Sequence, residues 1–199
     1  RQNDKEKAIK MINDSMELGS RYATQCLAQC HISCNGVEED NKRAIDLLRN
    51  ASIAGDVEST YLLAKCLRKN GLAEMDFDTL EEAMKLFETA AMNGHSGASY
   101  EFGMIFTQGF EIYMDRKKAS KFFKMASEQN HPQATTELGK IYEFKHKTEK
   151  AFKLYQKASN LGDNDGVFHL AMCYLNGVGV RANEEKGRCL MEKAAESGI

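Results

Sequence analysis

The sequence predicts an all-α fold, a right-handed α-solenoid of antiparallel helix pairs, and three observations carry the prediction. A helical pattern of fixed length recurs six times, a second helical pattern follows it five times, and the punctuation between them is glycine. The chain has fifteen glycines but a single proline, Pro132, so its helices are long and end at turns rather than at proline breaks. Pro132 is expected at a helix start.

The first pattern, helix B, is a small residue, apolar residues three and four later, a small residue at seven and a stop residue at eleven. It opens at Ala8, Ala44, Ala83, Ala119, Ala151 and Gly187 and closes at Gly19, Gly55, Gly94, Asn130, Gly162 and Gly198. The apolar pairs run from Met11-Ile12 through Leu47-Leu48, Leu86-Phe87, Phe122-Phe123 and Leu154-Tyr155 to Leu190-Met191. Spacings of zero, three, four and seven describe one helix face. Four residues before each opening stand Asp4, Asp40, Thr79, Asp115, Lys147 and Asn183, and all but the lysine can accept a hydrogen bond from a free helix-start N–H. The stop residues are the types that tolerate the left-handed backbone.

The second pattern, helix A, has small residues Ala23, Ser59, Ala98, Ala134 and Gly166 in its first turn. Leu27, Leu63, Phe102, Leu138 and Leu170 follow four later, and next to them come Ala28, Ala64, Gly103, Gly139 and Ala171, small enough for a close approach of helix B. Successive helices B open 36, 39, 36, 32 and 36 residues apart, with every change of length in the loop from A to B. The organisation is one solenoid over residues 1–199, about five A/B repeats plus a leading helix B, with boundaries near 20, 56, 95, 131 and 163. The leading helix B without its A, and the end just past the last helix B, predict a piece of a longer protein or self-association through uncapped ends.

The last unit reads Leu170-Ala171-x-x-Tyr174, then Gly177-Val178-Gly179-Val180, Lys186-Gly187, Lys193-Ala194-Ala195 and Gly198. In this it resembles the Sel-1-like repeat, whose pattern is L-G-x-x-Y, G-x-G-V, K-A, K-A-A and Gly, and Asn35-Gly36-Val37 echoes the loop in the first unit. Gly109-Phe110-Glu111-Ile112 and Lys145-His146-Lys147 depart from that loop. Tetratricopeptide repeats keep 34 residues and place a proline after helix B, whereas here the period varies and Pro132 is the single proline in such a place. The resemblance implies a scaffold or adaptor that gathers proteins in signalling, membrane-protein quality control or host–microbe contact. The alternative is a regulatory or substrate-recruiting repeat segment of a larger enzyme such as a protein kinase.

The chemistry is consistent with binding. The chain has no H-E-x-x-H, G-x-S-x-G, P-loop or C-x-x-C, and no serine followed at the third position by lysine, so no enzyme activity and no cofactor are expected. Cys26, Cys30, His31 and Cys34 resemble metal ligands, but Cys30 and His31 fill the repeat's own core positions, so they read as packing and no metal is expected. Six cysteines read as reduced thiols, which points to the cytoplasm. The triplets Asn13-Asp14-Ser15 and Asn50-Ala51-Ser52 keep a lumenal or secreted location open, although both fall in helices. With 27 basic and 29 acidic residues and no long apolar run, neither nucleic acid nor membrane insertion is indicated.

The expected partner is a protein or peptide on the concave side, lined by the second, sixth and ninth residues after each small residue of helix A. These are Gln25, Gln29 and Ile32; Tyr61, Lys65 and Arg68; Tyr100, Met104 and Thr107; Thr136, Lys140 and Glu143; Phe168, Met172 and Leu175. Aromatics and methionines flanked by Lys65, Arg68 and Lys140 suit a segment with apolar anchors and some acidic character. The competing reading is that these side chains pack on the neighbouring helix A.

Overall fold

The computed structural model describes residues 38–108 and 115–196, together with residues 7, 10–12, 14–15, 18, 20, 22–23 and 25–26. The chain divides into two compact units, Arg1–His95 and Ser96–Ile199. The first holds α1 (Glu38–Ile53), α2 (Val57–Glu74) and α3 (Phe77–Met92). The second holds α4 (Ser96–Gln108), α5 (Arg116–Glu128), α6 (Pro132–Phe144), α7 (Thr148–Asn160), α8 (Asn164–Asn176) and α9 (Glu184–Glu196). Odd-numbered elements are helices B, even-numbered ones are helices A, and no strand occurs among the described residues. Pro132 opens α6, where its missing N–H costs nothing.

Each turn from B to A is one motif. Gly55, Gly94, Asn130 and Gly162 all have positive φ, between 61° at Asn130 and 89° at Gly55 and Gly94. Their N–H groups donate to the carbonyls of Ser52, Ala91, Ser127 and Ser159, three residues back. The next residue, Asp56, His95, His131 or Asp163, donates its N–H to Ala51, Ala90, Ala126 or Ala158. That pair of bonds satisfies the last carbonyls of helix B. At three of these turns the same residue caps the following helix A: the side chains of Asp56, His131 and Asp163 accept from the N–H of Ser59, Ala134 and Gly166. One residue closes B with its backbone and opens A with its side chain, which leaves no room for insertion.

The turns from A to B vary, though not always in the loop as expected: only Met75 and Asp76 separate α2 from α3, so the extra length of the 39-residue repeat is taken up in helix. Asp115 caps α5 through the N–H of Lys117 and Lys118, and Asn183 accepts from Lys186 N–H, as the pattern predicts. Lys147 precedes α7 without a side-chain cap. Two expected caps need correction as well. Asp76, not Thr79, caps α3, because Asp76 stands just outside the helix in extended backbone and its carboxylate accepts from the N–H of Asp78 and Thr79, while Thr79, inside the first turn, donates its Oγ1 to it at 2.5 Å. Asp40 lies inside α1 rather than before it, because the helix already begins at Glu38. Asp4 lies outside the described residues. In the last loop Gly177 (φ 69°) ends α8 in the left-handed region. A Cβ on Gly179 would stand 2.3 Å from the Thr148 carbonyl oxygen at the start of α7, so only glycine fits there.

Consecutive helices pack on one another within each unit, and α8 also touches α6. The core of the first unit gathers Leu48, Leu62, Leu63, Cys66, Leu67 and Ala83. In the second, Phe122, Phe123, Ala126, Leu138, Tyr155 and Leu170 are buried. The small residue of helix A acts as a socket. A Cβ on Gly103 would lie 2.6 Å from the Phe123 ring, and one on Gly139 2.5 Å from Tyr155, so in these two pairs the ring occupies the volume a side chain would take. The Tyr155 hydroxyl is fixed by donating to Glu143 Oε2 at 2.6 Å, so the ring cannot swing aside without breaking that bond.

Cys26, Cys66, Cys173 and Cys189 are free thiols, as read from the sequence; Cys30, His31 and Cys34 lie outside the described residues. Burial pushes the Cys66 thiol up to about 12, the charges of Lys69 and Lys65 offsetting only part of this, and pushes Cys173 up to about 11 with help from Glu143. Both are protonated at neutral pH and therefore poor nucleophiles.

Two outcomes follow from this packing. Gly139→Ala gains helix propensity but drives a methyl group into a pinned ring, and should lower unfolding stability by about 1–2 kcal/mol in urea titration; an unchanged midpoint would show that the socket is slack. A thiol reagent at pH 8 should modify Cys26 and Cys189 within minutes while Cys66 and Cys173 react only after denaturation, as read by mass spectrometry of the digested protein.

Candidate functional site

The second, sixth and ninth positions of helix A have divided roles. At the second position, Tyr61 stacks on His95 with ring centres 4.2 Å apart, and His95 Nε2 lies 2.9 Å from Glu58 Oε2. Tyr100 stacks on His131 at 4.8 Å and leans on Phe123. Thr136 is buried and donates to Asp163 Oδ2 at 2.5 Å, so this residue, expected in the groove, is interior. Each of the three reaches the turn residue that follows the next helix B. These contacts are with turn residues rather than with the body of the neighbouring helix A, and both tyrosines are half-buried. Gln25 is half-buried, and Gln29 and Ile32 lie outside the described residues.

At the sixth and ninth positions of the first unit, Lys65 lies over the Tyr61 ring at 5.4 Å and Arg68 over the Phe87 ring at 5.8 Å. In the second unit Met104 is half-buried and Thr107 Oγ1 donates to its carbonyl. Leu175 presses on Gly187 of α9 and so belongs to the A/B packing rather than to a groove. Lys140, expected to supply positive charge, is held by Glu137 Oε1 at 2.8 Å and Asp165 Oδ2 at 3.7 Å. Burial alone would pull its ammonium pKa down; the Glu137 hydrogen bond and the charges of Glu137, Asp165 and Asp163 outweigh this and raise it. It stays a cation, but one matched within its own surface.

Phe168 and Met172 come together. With Glu143, His169, Cys173, Asn176 and Val178 they line a cavity of about 250 Å³ between α6 and α8. Phe168 keeps 37% of its surface exposed, the value that marks it as open rather than packed. The spacing Asp165, Phe168, His169, Met172, Asn176 is one stripe of α8, which is why a single helix supplies most of the wall. The His169 ring stacks on Tyr155 at 4.8 Å, with 15° between the planes. Its imidazole pKa is lowered by burial first and by Lys140 second, so it is neutral at pH 7. Burial, then the hydrogen bond to Glu143, raises the Tyr155 phenol far above its ordinary value, which keeps it a donor.

Nothing in this cleft is activated. The Cys173 thiol is protonated, His169 is neutral and Glu143 accepts from a phenol. The volume is below the ~300–1,000 Å³ of small-molecule sites. Among the described residues no group of three His, Cys, Asp or Glu side chains is placed to hold a metal ion, and no helix is long and apolar enough to cross a membrane. The arrangement suits one apolar side chain beside a carboxylate. Sequence reasoning placed Phe168, Met172 and Glu143 on this face and missed His169. The missed signal is the third position after the small residue, where Cys26, Leu62, Glu101, Glu137 and His169 shift from apolar to polar along the chain.

The Sel1 repeat pattern matches residues 27–56, 57–95, 97–131, 132–163 and 165–199. Chitin synthase regulatory factor 2 of Schizosaccharomyces pombe is 27% identical over 190 residues, which cover 85% of this chain but 36% of that protein. The chain therefore spans about a third of the length of this relative. Among solved structures, a Sel1 repeat protein from Oxalobacter formigenes superposes with a TM-score of 0.76 at 20% identity, covering 92% of this chain and 75% of that one. A protective antigen of uropathogenic Escherichia coli strains, with an SLR fold, gives 0.53 at 20% identity over 96% and 49%. These likenesses establish the α-solenoid fold, and the repeat match, which covers most of the residues from 27 onward in the register of helices A and B, establishes the kinship: the chain belongs to the Sel1 repeat family.

Proposed function

We propose that this chain is a non-catalytic interaction scaffold in a regulatory setting, holding a segment of a partner protein on the helix-A face of its second unit. The observation that supports this most is the cleft between α6 and α8, where Phe168 and Met172 offer an apolar floor that the repeat's own core does not need. Exposed apolar surface inside a concave, partly polar rim is the composition of an interface anchor. Sel1 repeat proteins are generally protein-interaction scaffolds, and the similarity to a chitin synthase regulatory factor supports a regulatory role. Tyr61 and Tyr100 contribute by stiffening the repeat turns, and Lys65 and Arg68 by presenting cations over aromatic rings on the first unit.

The test is capture of partners by the full-length protein from extracts of its source cells, comparing it with a Phe168→Glu/Met172→Glu variant and with Phe144→Glu as control. Phe144 is 64% exposed and lies outside the cleft. Loss of two anchors should reduce recovery of specific partners by about thirtyfold, the effect of roughly 2 kcal/mol, with unchanged helical circular dichroism and a control that binds normally. Equal recovery by the folded cleft variant would defeat the proposal.

A further inference from the structure

Charge from α4 to α8 is sorted by helix type. Helices α4, α6 and α8 carry Glu101, Glu137, Glu143 and Asp165 with Lys140 as their single cation, whereas α5 and α7 together carry eight cations and two carboxylates. The helix-A side is acidic and the helix-B side of α5 and α7 is basic. Several of the helix-B cations are spent on aromatic rings: Lys118 lies over Phe106, Lys121 over Phe122 and Lys150 over Tyr142.

The acid around the cleft is only partly matched. Lys140 bonds Glu137 at 2.8 Å and reaches Asp165 at 3.7 Å, so one cation serves two carboxylates. Glu143, inside the cleft, has as its hydrogen-bond partner the neutral phenol of Tyr155. His169 adds no positive charge at neutral pH. Asp165 lies one turn before Phe168 on the same stripe of α8, with 65% of its side chain exposed. An apolar floor thus has a carboxylate within it and another at its edge, with a net negative balance on the surrounding face.

We infer that the α6/α8 cleft recognises a cationic segment of a partner protein, one apolar side chain entering between Phe168 and Met172 and lysine or arginine residues on either side of it meeting Glu143 and Asp165. This rests on the helix-A face of the second unit being the binding face. It reverses the charge expected from the sequence, where Lys140 counted as an available cation. The cavity of about 250 Å³ limits the anchor to a single side chain, and the charges supply direction and rate of encounter.

The experiment uses the full chain labelled with ¹³C at its methionine methyl groups, with Met172 assigned by mutation. The probes are three synthetic nonapeptides in a glycine–serine background: a central leucine flanked by lysines, the same peptide with glutamates for lysines, and the lysine peptide with glycine for leucine. The lysine–leucine peptide should shift the Met172 signal saturably, and the other two should bind at least about tenfold more weakly. Glu143→Gln and Asp165→Asn should each weaken binding about two- to fivefold, and raising salt from about 0.05 to 0.5 M should weaken it further. Equal or tighter binding of the glutamate peptide at Met172 would overturn the charge assignment and leave the binding face standing. A Met172 signal unmoved by all three peptides overturns the inference itself. A Met172 shift that appears on concentrating the protein alone, with a rise in mass, assigns the face to a second copy instead. Failure of the broader scaffold reading is registered separately, by the capture comparison with the Phe168→Glu/Met172→Glu variant.

Discussion

The structure depends on one joint, the two-residue turn from helix B to helix A. A left-handed residue stops B, and its successor donates its N–H back to B; at Asp56, His131 and Asp163 the side chain then accepts from the first turn of A. The end of B and the start of A are thus satisfied within two adjacent residues, by backbone bonds on one side and a side-chain acceptor on the other. The second of these residues is also what the preceding helix A touches. Tyr61 reaches His95, Tyr100 reaches His131 and Thr136 reaches Asp163. Two of these contacts are ring stacks and one is a buried hydrogen bond to a carboxylate, so one place in the repeat is filled by unlike chemistry.

That joint explains where function is free to vary. The sockets at Gly103 and Gly139 are constrained by contacts below ordinary van der Waals distance for any larger side chain, and the turn residues Gly55, Gly94, Asn130 and Gly162 by their positive φ. The stripe of α8 from Asp165 to Asn176 carries no such constraint on its outer side. It is there that Phe168 remains exposed and a cleft opens against α6. The cleft's acids are polarised by their neighbours in opposite senses: Lys140 answers Glu137 and Asp165, while Glu143 keeps Tyr155 protonated and hydrogen-bonded. Binding by shape and charge is the chemistry such a site offers.

Much of this was legible in the amino-acid order because the repeat states it several times over. The left-handed stops were readable from three glycines and Asn130 at one register position, and Asp115 from its place before a helix. Thr79 misled because periodicity fixes the face of a helix better than its first residue, and Asp76 lay just upstream with a better-placed carboxylate. The groove residues were harder. Register places Tyr100 and Phe168 alike, yet one is stacked on His131 from the next turn and the other keeps over a third of its surface open. The pairing of Lys140 was partly hidden for a similar reason, since Asp165, the second of its two carboxylate partners, lies on another helix.

The keyed pairs have a consequence for how such chains change by duplication. Gly103 accepts Phe123, and Gly139 accepts Tyr155, each across an A/B contact, while Ala64 and Ala171 stand at the same position in α2 and α8. A crossover inside the A–B loop would marry a helix carrying alanine to a ring shaped for glycine. A crossover at the B–A turn moves lock and key together. The variable loops, which look like the natural seams of the molecule, are therefore the wrong places to cut it, and the exchangeable module is the helix pair bounded by two rigid turns.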